Sequence, residues 1–423
     1  VLGSLGILLL ADVSRAWVVL LLGLVFMLAA GLVARLAVGA KEGIRKLWVP
    51  LALLLLAAVV LFSPASVRTG MPDIPQEPML SQGESWSIAW DTATENIRHM
   101  LVGSGPGTFA IDFSKHRPAE FNMGEQWQTR FDRSGNHWSE ILATTGFPGI
   151  LSYVFLTGIF LLVSWFLLSK KSTWPFLLAI VSLLAAQNGT YQTVSLGLAF
   201  WLFLALGVLL WERPVREFVF SLRKFPEFEI AAKALFLIVA VAAGGMSYFA
   251  VRFYLADVNY ALSQNTVASV VERIDRGLEA VRLNPYQAEY KIFVARSYLS
   301  RALGELQKSE SEQDQNGISR DVQLAIAYGG GATQVSPKRV AAWETLGTVY
   351  RDIKFAAGAG EWAIRSFETA IALEPANPML HTELGKLYAS NEQNDKAKDQ
   401  FARAAALQPN YVEAQMQLAL AFE

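Results

Sequence analysis

The chain has 423 residues, 53% of them hydrophobic and only 17% charged, with a formal net charge of −1. That is too apolar for an average soluble domain, and the near-neutral balance lacks the basic footprint of a nucleic-acid-binding protein. With no cysteine, disulfides, thiolate catalysis and cysteine-ligated zinc are excluded as well. The averages conceal two halves. Residues 1–254 hold the long apolar runs, and residues 255–423 read as an ordinary, slightly acidic soluble domain.

In chain order, apolar runs cover residues 2–10, 16–32, 48–62, 146–168, 174–187, 194–211 and 231–250. A membrane-crossing helix needs roughly 20 predominantly apolar residues, and lipid tolerates no unpaired backbone, so all seven are expected to be helices. Val1 falls inside an apolar run with no signal-peptide n-region or cleavage site. The expectation is an N-terminally truncated membrane domain. Basic residues set its orientation. Arg35, Lys41, Arg45 and Lys46 lie in one inter-span segment, Lys170 and Lys171 in a second, and Arg213, Arg216, Arg223, Lys224 and Lys233 in a third. These segments alternate with the others, so all three can be cytoplasmic together. Loop 63–145 and everything after about residue 255 then lie outside.

Between the first two runs stand Asp12, Ser14 and Arg15. Ionisable groups at membrane depth are functional candidates, although a turn with a snorkelling arginine explains them equally well. The outer loop holds three of the four histidines, His99, His116 and His137, among many aromatics. Residues 84–101 have apolar residues at helical spacing and predict one amphipathic helix on the membrane surface or on the bundle. "VGSGPGTF" (102–109) comes after that helix and lacks the G-K-[ST] ending of a nucleotide loop. A tight turn with close backbone approach is expected, its amides available to an anion. The three histidines match no local ligand spacing, so no metal site is expected. Asp112, Glu120, Asp132 and Glu140 are acid–base candidates that no spacing ranks.

The C-terminal part repeats. Trp343, Leu346, Gly347 and Tyr350, followed by Ala363, Phe367, Ala370 and Pro375, fit the tetratricopeptide (TPR) pattern with about four extra residues. Leu384, Gly385, Tyr388, Ala397, Phe401, Ala404 and Pro409 fit its 34-residue period without them. A weaker unit shows Pro285, Ala295 and Tyr298. These residues are expected to be core, and His381, in place of the motif tryptophan, is expected to pack. "SESEQDQNG" (309–317) is expected to be a mobile polar insertion. The array offers a concave groove to a protein partner.

Taken together, "DVSRAW" (12–17), "GSGPGTF" (103–109) and "GNHWSEILATTGFPGILSYVF" (135–155) resemble, in order and placement, the O-antigen ligase and polymerase family of bacterial envelope glycosyltransferases. The resemblance covers about residues 1–211, and TPR arrays occur in relatives. Where that family often has His before the Asn, this chain has Gly135, and "ESWSIAW" (84–90) lacks an arginine the family often carries.

The resemblance implies an all-α protein. A polytopic, GT-C-like helical membrane domain (1–254, about seven spans) would be followed by an extracytoplasmic TPR solenoid (255–423), in the bacterial inner membrane. It implies transfer of a glycan from undecaprenyl pyrophosphate to an acceptor hydroxyl on a lipid, a glycan or a protein, with no cofactor and no metal. The leaving pyrophosphate calls for guanidinium groups. Arg15 matches the family position, and Arg98, Arg117, Arg130 and Arg133 are further substrate-binding candidates. His137 is the candidate base or orienter, with Asn136 and Glu140 positioning it. A membrane-anchored TPR scaffold without chemistry is the alternative. A flippase is disfavoured, because residues 146–211 carry no charge except the loop lysines 170 and 171.

Overall fold

The computed structural model describes residues 77–166, 174–209, 226–353 and 356–422, with a few helical positions between 21 and 59. The expected spans 2–10, 16–32 and 48–62 lie outside or almost outside these residues, and so do Asp12, Ser14 and Arg15. Among the described residues every regular element is helical.

Contacts divide the chain into two units. Unit 1 is Val1–His116 with Thr129–Val215, and unit 2 is Arg117–Gln128 with Arg216–Glu423. This differs from the expected division at 254/255 in two ways. A piece of the outer loop groups with the repeats, and so does the last apolar helix.

Unit 1 begins with α1 (Gln82–Thr94), opened by a capping box in which Ser81 accepts from Glu84 N and Glu84 accepts from Ser81 N. The single amphipathic helix expected over 84–101 is in fact two. Asn96 is extended, and its side chain accepts from His99 N at 2.9 Å, so it caps a new helix, α2 (Ile97–Val102). α3 (Phe109–His116) comes after the glycine turn. α1 buries Ser85, Ile88, Ala89, Thr92 and Ala93 against α3 and α4 (His137–Phe166). The helical hairpin α5 (Trp174–Gly189) and α6 (Val194–Leu209) completes the unit.

Two described helical stretches are long and apolar enough to cross a membrane, His137–Ser164 in α4 and Ile230–Ser263 in α7 (Pro226–Ser263). Ala179–Gly189 and Val194–Leu209 are apolar but shorter. α4 is two helices joined at a break, since Gly146 has φ 70° and ψ −170° and Pro148 comes two residues later. α7 is unbroken. Its apolar half leaves Leu235, Phe236, Leu237, Ile238 and Phe249 exposed, while Ala256 and Tyr260 near its end pack with Tyr290.

Unit 2 continues as antiparallel pairs: α7 with α8 (Val270–Leu283), α9 (Ala288–Leu306) with α10 (Gln315–Val335), α11 (Val340–Asp352) with α12 (Ala359–Leu373), and α13 (Pro378–Ser390) with α14 (Asn394–Leu407), followed by α15 (Val412–Leu420). The repeat residues are core, as the motif requires. Phe367 and Phe401 are 1% exposed. Each ring fills the space left by a missing Cβ, at Gly347 and Gly385 respectively. The 309–317 insertion is built into the fold: Glu310–Glu312 is a 3-10 turn, and Asp314 caps α10 by accepting from Gly317 N at 3.0 Å.

A polar staple repeats with the hairpins. Trp343 Nε1 donates to Pro337 O at 2.8 Å, His381 Nε2 lies 3.0 Å from Pro375 O, and Gln415 Nε2 donates to Pro409 O at 3.4 Å. His381 is buried, and its Nδ1 sits 2.7 Å from Gln400 Oε1. It packs, and it also braces the turn before its helix.

Candidate functional site

The site in unit 1 is built around the break in α4. An uninterrupted helix would satisfy Thr144 O with the amide of residue 148, but that residue is proline and has no N–H. The glycine turn supplies the missing donors. Ser104 N donates to Ala143 O and Gly105 N to Thr144 O, both at 3.0 Å. This needs an approach that only glycine permits. A Cβ on Gly103 (φ +67°) would lie 2.2 Å from the Thr144 carbonyl carbon, and one on Gly146 would lie 2.6 Å from Met100 O. The turn is therefore the expected close backbone contact. Two of the amides that sequence left open to an anion are used to repair a helix.

The same turn holds a buried carboxyl. Ser104 Oγ donates to Asp112 Oδ2 at 2.6 Å. Burial pushes the Asp112 carboxyl up to about 6, against the lowering effect of that hydrogen bond. Below about pH 4 the folded and unfolded chains both hold the proton. Between about pH 4 and 6 the unfolded chain releases it first, so stability falls as pH rises, and above the folded pKa the penalty is complete. Two pKa units correspond to about 3 kcal/mol. Asp112→Asn is accordingly expected to stabilise the protein at pH 7 by up to about 3 kcal/mol and to give no gain at pH 4. Denaturant titrations of the detergent-solubilised protein at the two pH values check this, and a pH-independent effect would refute it.

Beside it, Glu95 binds Lys115 Nζ, and its other oxygen lies 3.3 Å from His99 Nδ1 and 3.5 Å from His116 Nε2. Both histidine contacts are within ion-pair reach but lack hydrogen-bond geometry. The Lys115 hydrogen bond holds the Glu95 carboxyl below its ordinary range, and burial pushes the His116 imidazole down. Two of the outer-loop histidines thus gather on one carboxylate. Among the described residues no group of three His, Cys, Asp or Glu is placed to hold a metal ion.

The predicted cluster at the start of α4 falls in one turn. Asn136, fully buried, caps the helix. Its Oδ1 accepts from Ser139 N at 2.8 Å, and its Nδ2 donates to Gln82 Oε1 at 2.7 Å. Gly135 fits beneath Leu80, where a Cβ would come within 2.1 Å of Leu80 O. The position that holds His in the resembled family therefore has no room for a side chain here. His137 stands edge-on to Tyr153, with ring centroids 5.6 Å apart. One turn on is Glu140. Buried His137 Nδ1 and Glu140 Oε2 have no hydrogen-bond partner among the described residues. Trp138 Nε1 on the same helix, and Thr92 Oγ1, Gln187 Nε2 and Gln192 Oε1 elsewhere in the unit, are in the same condition. Buried polar atoms are ordinarily paired, and a concentration of exceptions marks a place for water or ligand.

The arginines separate. Arg133 NH1 donates to Gln192 O at 3.0 Å, and its guanidinium stacks 5.5 Å from the Tyr191 ring. With Glu77, Asp132 and Tyr191 it lines an open cleft of about 380 Å³. Arg98 is exposed on α2, and Arg130 is half-buried. Arg117 belongs to unit 2, where its side chain is 1% exposed and paired with Glu374 at 3.0 Å. Sequence reasoning missed Gln82, Ser104 and Glu95. They are tied to the site by partners 8 to 54 positions away, and no local pattern marks them.

These features define an all-helical protein in which one unit carries a capped helix mouth with unpaired polar atoms and the other carries helical repeats. Residues 1–154 match the model of the family described as O-Antigen ligase. A search of curated proteins finds no match. Among solved structures, the chain is similar to TTC0263, a thermophilic TPR protein of Thermus thermophilus, at 22% identity, covering 40% of this chain and 79% of that one with a TM-score of 0.32. It is also similar to MamA 41-end from Desulfovibrio magneticus RS-1, at 21% identity, 39% and 82% coverage and a TM-score of 0.32. YrrB, a TPR protein, matches at 13% identity, 40% and 74% coverage and a TM-score of 0.30.

Proposed function

We propose that the protein transfers or polymerises a glycan carried on undecaprenyl pyrophosphate, at the outer face of the bacterial inner membrane, in the manner of O-antigen ligases. The observation that carries this reading is the family match over residues 1–154, a stretch that contains Arg15 and the whole 133–140 cluster. In the proposed reaction the acceptor hydroxyl attacks the anomeric carbon and a new C–O bond forms. The bond from the anomeric carbon to the phosphate oxygen breaks, and pyrophosphate leaves on its lipid.

Arg15 binds the leaving anion, and Arg133, at its cleft, is the second guanidinium for it. Arg98 and Arg130 remain candidates for the glycan or lipid phosphates. His137 takes or orients the acceptor proton through its unpaired Nδ1, Glu140 orients the incoming hydroxyl, and Asn136 fixes the turn that carries both. Arg117 is left out of this set because its guanidinium is engaged by Glu374, Asn122 and Trp127. The two stretches long and apolar enough to cross a membrane, His137–Ser164 and Ile230–Ser263, together with the upstream runs, would form a multi-pass membrane domain with the repeats outside the cell.

The test uses membranes containing the full-length protein, labelled undecaprenyl-pyrophosphate oligosaccharide and a panel of acceptor lipids, glycans and proteins. Donor loss in wild type and a fall of about 100-fold in His137→Ala, the ordinary size of a general-base contribution, are expected. Intact donor with every acceptor, from correctly folded protein, would favour a non-catalytic envelope scaffold instead.

A further inference from the structure

We propose that the last two C-terminal repeats are a receptor for the chain's own outer-loop segment 117–128, read by the residue that precedes the proline of each, Glu374 and Gln408. The inference is independent of any glycan chemistry.

The turns between successive hairpins are equivalent in sequence: Asn284-Pro285, Ser336-Pro337, Glu374-Pro375 and Gln408-Pro409. The last two pre-proline residues are one 34-residue period apart, and both reach segment 117–128. Glu374 Oε1 accepts from Arg117 NH1 at 3.0 Å, while its Oε2 accepts from Asn377 Nδ2 at 2.9 Å. Gln408 Nε2 donates to Asn122 O, and its Oε1 accepts from Asn410 N at 3.1 Å. In each case one side-chain atom anchors to the turn and the other faces the segment. Asn284 makes only the local contact, accepting from Tyr286 N at 3.2 Å. It is one methylene shorter than glutamine.

The segment answers with matching chemistry. Asn122 is fully buried, and its Nδ2 donates to Ala376 O at 2.8 Å, in the turn after Glu374. Arg117 also donates to Asn122 Oδ1 and Trp127 O, so it holds the segment in one shape. Its guanidinium lies 4.8 Å from the Phe121 ring. Trp127 packs on Tyr411, with centroids 5.0 Å apart. The Arg117–Glu374 pair has side chains 1% and 0% exposed. A charge pair this dry persists only where each partner finds its counter-charge and further hydrogen bonds, which is how a specific site is built. The surface used is the row of inter-hairpin turns.

The experiment is hydrogen exchange on the full chain in detergent micelles, reading amides 119–127 together with the core amides of α13 and α14. Wild type should protect the segment. Glu374→Ala should speed its exchange at least tenfold, Gln408→Ala several-fold, and Ser336→Ala, at the equivalent turn that makes no such contact, not at all. If Glu374→Ala also releases the α13 and α14 amides, Asn122→Ala, which removes the contact from the segment side, gives the same reading with the repeats intact. Unprotected segment amides in wild type, or protection unchanged in both Glu374→Ala and Asn122→Ala, would overturn the proposal.

Discussion

Arg15→Ala is expected to slow consumption of the lipid-linked donor by about 100- to 1,000-fold, the usual consequence of removing one fixed contact to charge that develops in the transition state. In the proposed reaction negative charge grows on the pyrophosphate as the anomeric bond breaks, and a low dielectric would magnify any guanidinium contact to it. A planar fork donates two parallel hydrogen bonds to such an anion, and an ammonium does not. Arg15→Lys should therefore recover only part of the rate. The readout is the initial rate of donor loss at saturating acceptor, with His137→Ala assayed alongside. If Arg15→Ala turns over like wild type, the pyrophosphate sits elsewhere, and Arg133 at its cleft becomes the residue to replace.

Removing Glu374 should be equally costly in a different quantity. Glu374→Ala leaves the Arg117 guanidinium buried without its counter-charge, and such losses amount to about 3–5 kcal/mol. The protein should unfold at clearly lower denaturant in Glu374→Ala. Glu374→Gln should fall between the two, since its side-chain oxygen still accepts from Arg117. A chevron or equilibrium titration monitored by tryptophan fluorescence measures this, and a change below about 1 kcal/mol, the size of an exposed pair, would mean that water reaches it.

Much of the fold is legible in the amino-acid order because it repeats. The spacing of Gly347 and Phe367, and again of Gly385 and Phe401, states which side chain fills which gap, and helical pairs result from it. The described parts of the apolar runs at 146–168, 174–187, 194–211 and 231–250 fall on helices. The start of α4 was not legible, since the apolar run begins at 146 whereas the helix begins at His137, behind the Asn136 cap. Other features depend on partners far away in the chain. The cap at Asn96 splits what periodicity reads as one helix, because the apolar spacing continues across it. Nothing local separates Arg117 from Arg133, yet one is buried against Glu374, 257 positions on, and the other lines an open cleft. The glycine turn looked ready for an anion because its sequence does not reveal that Pro148, 43 residues past Gly105, leaves a carbonyl in need of its amide.

The unbroken helix α7 has a mechanical consequence. From Pro226 to Ser263 it has no proline after its first residue and no glycine beyond Gly245, so its apolar half and the first hairpin of the repeats share one axis and one phase. Each residue added to such a rod turns the part beyond it by about 100° and advances it by about 1.5 Å. A one-residue insertion near Val251 would swing the repeats to a different azimuth, whereas a four-residue insertion would nearly restore their facing and lift them by about 6 Å. The length of this helix, counted in residues, is thus a dial that fixes both the bearing and the height at which the repeats are carried.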